Sequence, residues 1–183
     1  MDAMGDQFLS AASIAGRICV GLVFLLAAAQ KANHWRILPG VIANYRLLPR
    51  NMTAPAAALL PPLEMIVAIL LLGGLAMPWA ALASIALLAV FAAAMAVNLR
   101  RGRGAIDCGC GQSFLAQTLS WTLVVRNGVL AALLLPSLAA AGSPALPVIL
   151  TGAGAGVAFF LLYLLLNTLA ALPRPEARGH RFA

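Results

Sequence analysis

Five apolar stretches, each about as long as a bilayer is thick, divide this sequence between Ala12 and Leu172. Crossing the hydrocarbon core takes about 20 mainly apolar residues at about 1.5 Å of helical rise each. The stretches that qualify run over about 12–30, 57–77, 79–99, 119–139 and 147–172. In lipid the backbone has no water to hydrogen-bond, so such a run satisfies its N–H and C=O groups internally, as a helix. The expected fold is all-α, a polytopic transmembrane bundle of about five membrane-spanning helices. It forms one domain over 1–172, and a short polar tail follows at 173–183.

Composition excludes the soluble alternative. Hydrophobic residues make up 63% of the chain and charged residues 9%, with a mean hydropathy of +0.97. Soluble domains carry about 45–50% apolar and about 25% charged residues, and no water-facing shell of this size hides the excess. The formal net charge of +7 does not point to nucleic acid. That reading needs a basic face on a soluble module. Here the cations lie in short stretches between apolar runs, where they orient helices and meet lipid head groups. Residues 1–12 hold two aspartates and neither Lys nor Arg, so the positive region of a cleavable signal is missing and the first run is expected to remain a membrane helix.

Local signals punctuate the spans. Pro61 and Pro62 are expected near the start of the second span, where proline is tolerated. Pro78 marks a tight turn into the third, and Gly142, Ser143, Pro144 and Pro147 mark the turn into the fifth. Gly152 and Gly156, like Ala92 and Ala96, are small residues four apart and predict close helix–helix packing within the bundle, with a homodimer face as the other use of such a pair. Trp79 and Trp121 fall at helix ends, as an aromatic belt requires.

Ten of the twelve Lys and Arg residues lie outside the spans: Lys31, Arg36, Arg46 and Arg50 after the first, Arg100, Arg101 and Arg103 after the third, and Arg174, Arg178 and Arg181 in the tail. With five spans all three segments share one side of the membrane, which the positive-inside rule assigns to the cytoplasm.

The residues that could carry chemistry centre on Asp107-Cys108-Gly109-Cys110 in the loop before the fourth span. Two cysteines separated by one glycine close on each other only through a small, strained ring, and Gly109 supplies the backbone freedom this needs. Strained or exposed disulfides are the oxidising, labile ones. The pair therefore reads as a thiol–disulfide exchange site, one sulfur forming a mixed disulfide and the other resolving it; a pair of incidental loop thiols is the bland alternative. No metal is expected, because Cys108 and Cys110 lack two further ligands and His34 and His180 have no motif around them. Cys19, about 18 Å along the helix from Lys31, reads as a small buried hydrophobe.

Two ionisable groups fall at membrane depth, Glu64 and Arg126, each about seven residues into its span. Charges there face a partner or the bundle interior. The expectation is an interhelical Glu64–Arg126 ion pair with Asn127 beside it, locking helices in register or shaping a polar cavity beneath the cysteine loop. Arg17, nearer the opposite face, is expected to snorkel. Lys31 and the stretch Asn44-Tyr45-Arg46-Leu47-Leu48-Pro49 form a second polar cluster on the cysteine side, with Tyr45 and Arg46 as candidate contacts to the loop or to a partner.

Taken in order, Gly16-Arg17, Gly21-Leu22-Val23-Phe24, Gln30-Lys31, Asn44 to Pro49, Pro62-Leu63-Glu64, Asn98-Leu99-Arg100-Arg101-Gly102-Arg103, Asp107 to Cys110 and Arg126-Asn127 resemble the methylamine utilisation protein MauE family over nearly the whole chain. The Cys-Gly-Cys element after the Asn-Leu-Arg-Arg-Gly run is the most specific part; Gly111-Gln112 stands where many relatives carry phenylalanine and glycine. The resemblance implies a bacterial inner-membrane protein acting in maturation of the methylamine dehydrogenase small subunit, a disulfide-rich periplasmic chain. It also implies a membrane-anchored, thioredoxin-like partner of the MauD type. A quinone acceptor enters only by analogy with other membrane thiol oxidoreductases, and a non-catalytic scaffold that recruits the partner or the subunit is the alternative role. Two expectations then conflict. Charge bias puts the Cys108–Cys110 loop in the cytoplasm, whereas disulfide formation belongs in the periplasm.

Overall fold

The computed structural model describes residues 3–104, 119–140 and 144–171. Within them the chain is helical and contains no strand: α1 (Ala3–Asn33), α2 (Leu38–Asn44), α3 (Arg50–Gly73), α4 (Trp79–Arg100), α5 (Trp121–Ala132), α6 (Pro136–Ala139) and α7 (Leu146–Ala171). Five helices are long and apolar enough to cross a membrane; these are α1, α3, α4, α5 continued through α6, and α7. The all-α, five-span expectation is borne out.

The first spanning helix starts at Ala3 rather than at about 12, and both ends of the second differ from those read off hydropathy. The second spanning helix begins at Arg50, so Pro61 and Pro62 stand in its interior rather than at its start. Proline N-termini pre-set φ for a helix, but here the ring nitrogens withdraw the donors that Ala57 and Ala58 would otherwise accept, a loss membrane helices tolerate. The same helix stops at Gly73, short of 77. Gly74 takes the left-handed conformation at φ +64°. Its N–H bonds Leu71 O at 3.1 Å and Leu75 N–H bonds Leu70 O at 2.8 Å, the paired closure of a Schellman motif.

α1 lies at the centre and packs against α3 on one side and α7 on the other, while α5 packs on α4. The α1–α7 contact is built on the two glycines: a Cβ on Gly156 would lie 2.7 Å from Ile18 Cβ, and one on Gly152 would lie 2.8 Å from Ile14 Cβ. The small pair is therefore spent on internal packing. Gly16 does the same on the far side of α1, where a side chain would run into the Leu133 carbonyl. The core between α1, α3, α4 and α5 is Cys19, Val20, Phe24, Ala68, Leu71, Leu88, Leu130 and Leu134. Polar side chains in it bond locally: Ser84 Oγ donates to Ala80 O at 2.6 Å and Asn127 Nδ2 to Leu123 O at 2.8 Å. Ser13 and Ser137 bond each other at 3.0 Å, tying α1 to α6.

Candidate functional site: a buried ion pair under an apolar pocket

Lys31 occupies the last turn of α1, with Glu64 facing it from α3. Helical side chains lean toward the N-terminus of their own helix, so a lysine at the end of α1 reaches back into the bundle rather than out of it. Its Nζ lies 2.8 Å from Oε1 and 2.9 Å from Oε2 of Glu64. Lys31 is 7% exposed and Glu64 fully buried. The Phe91 ring of α4 lies under the ammonium, with its centroid 5.7 Å from Nζ. A carboxylate and an aromatic face together replace the water that a lysine loses on burial.

This corrects the expected Glu64–Arg126 pair. Arg126 is carried by α5, which packs on α4, and it turns to α7 instead. There Nη1 donates to Asn167 Oδ1 at 2.6 Å, and the guanidinium lies over the Tyr163 ring at 5.5 Å. Its Nε is buried without a hydrogen-bond partner among the described residues. Asn127, one position on, is buried and turns to the α5 backbone, so it joins neither group. Sequence reasoning missed Lys31 as the counter-ion of Glu64 by reading it as part of a loop. The available signal was adjacency: consecutive spanning helices are usually neighbours, and Lys31 lies in the last turn of the spanning helix that precedes that of Glu64.

Above the pair lies an apolar pocket of about 330 Å³ between α2, the first turns of α3 and the last turns of α4. Among the described residues Lys31 is the one charged group in its lining; Leu38, Tyr45, Leu60, Phe91 and Met95 are among the others. The pocket reaches Val90, which is 62% exposed in the middle of α4 and therefore at lipid depth.

Cys108, Cys110, Asp107 and Gly109 lie outside the described residues. The residues on both sides of them are described. α4 closes with a second Schellman arrangement, Gly102 at φ +70°, its N–H on Leu99 O at 3.0 Å and Arg103 N–H on Asn98 O at 3.0 Å. Asn98 is fully buried; its Nδ2 bonds Ala94 O, and its Oδ1 accepts from Arg103 Nη1 at 3.2 Å. The Asn-Leu-Arg-Arg-Gly run is thus a helix terminator that fixes where the loop leaves α4. Beyond the loop, Leu119 packs with Met95 and Leu123, and Tyr45 packs against the same cluster. A Cβ on Gly104 would stand 3.5 Å from Leu119 O, so the two flanks lie close together. Arg46 is exposed and takes a left-handed backbone at φ 48°. Cys19 is 1% exposed in the core.

A multi-pass helical membrane protein with a buried lysine–glutamate pair between two of its spanning helices is the class this architecture defines. The sequence profile of the methylamine utilisation protein MauE family matches residues 9–142. The chain is 45% identical over 162 residues to the methylamine utilization protein MauE of Paracoccus denitrificans, covering 85% of this chain and 86% of that one. It is 42% identical over 167 residues to the protein of the same name from Paracoccus versutus, covering 86% of each. To that of Methylorubrum extorquens it is 41% identical over 154 residues, covering 78% and 80%. No solved structure matches the chain. The chain belongs to the MauE family, whose members are methylamine utilisation proteins.

Proposed function

We propose that this protein is a membrane thiol–disulfide exchange factor that supports maturation of the methylamine dehydrogenase small subunit, working through Cys108 and Cys110. The observation that carries the reading is the Cys-Gly-Cys sequence itself, in a segment whose two flanks lie close together at Gly104 and Leu119. In the exchange, the thiolate of one cysteine attacks a sulfur of a thioredoxin-like partner's disulfide and the partner's other sulfur leaves as thiolate. The second cysteine then attacks the mixed disulfide, closing Cys108–Cys110 and releasing the partner as a dithiol. Electrons flow the opposite way through the same mixed disulfide when the partner starts reduced. The MauD-type protein is the natural partner for this step, and the family's place in methylamine utilisation supports the dehydrogenase subunit as the final substrate.

The test is Cys108→Ser and Cys110→Ser in cells grown on another carbon source with methylamine present as inducer. Loss of mature dehydrogenase at unchanged membrane levels of the variant is expected, with a trapped mixed disulfide in one of the two. Full maturation by both variants would overturn the exchange reading and leave a scaffold that recruits the partner.

A further inference from the structure

The pocket over the ion pair has the attributes of a ligand site and no assigned occupant. Its volume of about 330 Å³ falls at the lower end of small-molecule sites, enough for one ring and the start of a chain. Among the described residues its lining is apolar except for Lys31 and the Tyr45 hydroxyl, so the occupant comes from the lipid phase, and exposed Val90 at the middle of α4 places a way in at that depth. The charge of Lys31 is already matched by Glu64, which disfavours a second anion. An ammonium has three N–H donors, and the Glu64 carboxylate takes two of them. What remains suits a neutral hydrogen-bond acceptor. Phe91 and Tyr45 add aromatic faces to the wall, which suit a flat ring.

We propose that this pocket binds a lipid-soluble quinone, one ring carbonyl accepting a hydrogen bond from Lys31 Nζ and the tail leaving past Val90 into the bilayer. The site stands on α1–α4 residues alone and does not depend on the cysteine chemistry. Its failure would therefore leave the thiol-exchange reading untouched.

The experiment uses the full-length protein, purified in lipid nanodiscs and titrated with decylubiquinone, with binding read from quenching of tryptophan emission and from the shift in thermal midpoint. Saturable binding is expected, unchanged in the Cys108→Ser/Cys110→Ser variant. Filling the pocket from two walls, with Ala56→Phe or Ala94→Phe, is expected to weaken it at least tenfold while the ligand-free midpoint stays within a few degrees. Lys31→Met/Glu64→Leu, which removes the donor without stranding a charge, is expected to weaken it likewise. A dioleoylglycerol titration separates the ring from an ester carbonyl on an acyl chain. Equal binding of the glycerolipid would make the pocket an acyl-chain groove and overturn the proposal. Non-saturable quenching, or quinone binding indifferent to both phenylalanine variants, would do the same.

Discussion

Truncating Lys31 leaves the Glu64 carboxylate fully buried without its ammonium, and truncating Glu64 leaves an ammonium facing an aromatic ring. Breaking a buried pair from one side costs about 3–5 kcal/mol, whereas replacing both members with apolar residues of similar volume is often close to neutral. Lys31→Met and Glu64→Leu are therefore each expected to lower the thermal midpoint sharply, and the double variant to recover most of the loss. A double-mutant cycle on unfolding in detergent measures this; additive losses would mean the two groups do not stabilise each other. Arg126 behaves differently, because its partners are a neutral amide and a ring. Arg126→Leu is expected to cost less than either single change at the ion pair. Cys19, 1% exposed, is expected to stay unlabelled by maleimide in the folded protein and to react only after denaturation. The depth of Glu64 and Arg126, their scarcity and their polarity were legible in the sequence. Which cation faces which carboxylate was not, because helix rotation and neighbour choice decide it, and both depend on the packing of all five spans.

At the scale of elements, glycine sets both the ends of helices and their closest approach. Gly74 holds φ +64° with the Arg17 guanidinium packed where a side chain would stand. Gly74→Val is expected to destabilise by about 1–3 kcal/mol through backbone strain and displaced packing. The α1–α7 seam is tighter still. Gly156→Val would place carbon within 2.8 Å of the Ala15 carbonyl, and the helices would have to part. Overpacking of this kind costs about 1–3 kcal/mol. Weaker unfolding resistance in Gly156→Val with an unchanged oligomeric state on size-exclusion chromatography is the expected result. A selective loss of dimer would instead mean that the seam serves two copies. The glycine spacing announced a contact; the identity of the partner helix came from the position of α1 between α3 and α7. Pro61 and Pro62 show the reverse case. Read locally they suggested a helix start, but α3 continues outward to Arg50 and packs there against α2.

For the whole molecule, the crossing of the membrane by α4 can be read by labelling. The turn after α3 and the loop after α4 must lie on opposite sides. In a Cys19→Ser background, Leu75→Cys in the exposed α3–α4 turn and the native Cys108/Cys110 pair are expected to react with an impermeant maleimide from opposite faces. Reaction of both in intact spheroplasts, after reduction, would contradict the five-span arrangement. The same measurement decides between the two expectations for the cysteine loop, since labelling of Cys108/Cys110 in spheroplasts puts the loop in the periplasm against the charge bias. Length and hydropathy alone were enough to determine the all-helical class and the number of spans, because a backbone in lipid has few ways to satisfy its hydrogen bonds. The order of motifs along the chain was enough to identify the MauE family. The pairing of Lys31 with Glu64, the turn of Arg126 toward α7 and the apolar pocket over the ion pair were decided by tertiary structure. Each depends on how far one helix is rotated and shifted against another, and in a bundle whose surfaces are apolar on nearly every side hydrophobicity does not specify that rotation; close packing and the burial of a few polar groups do.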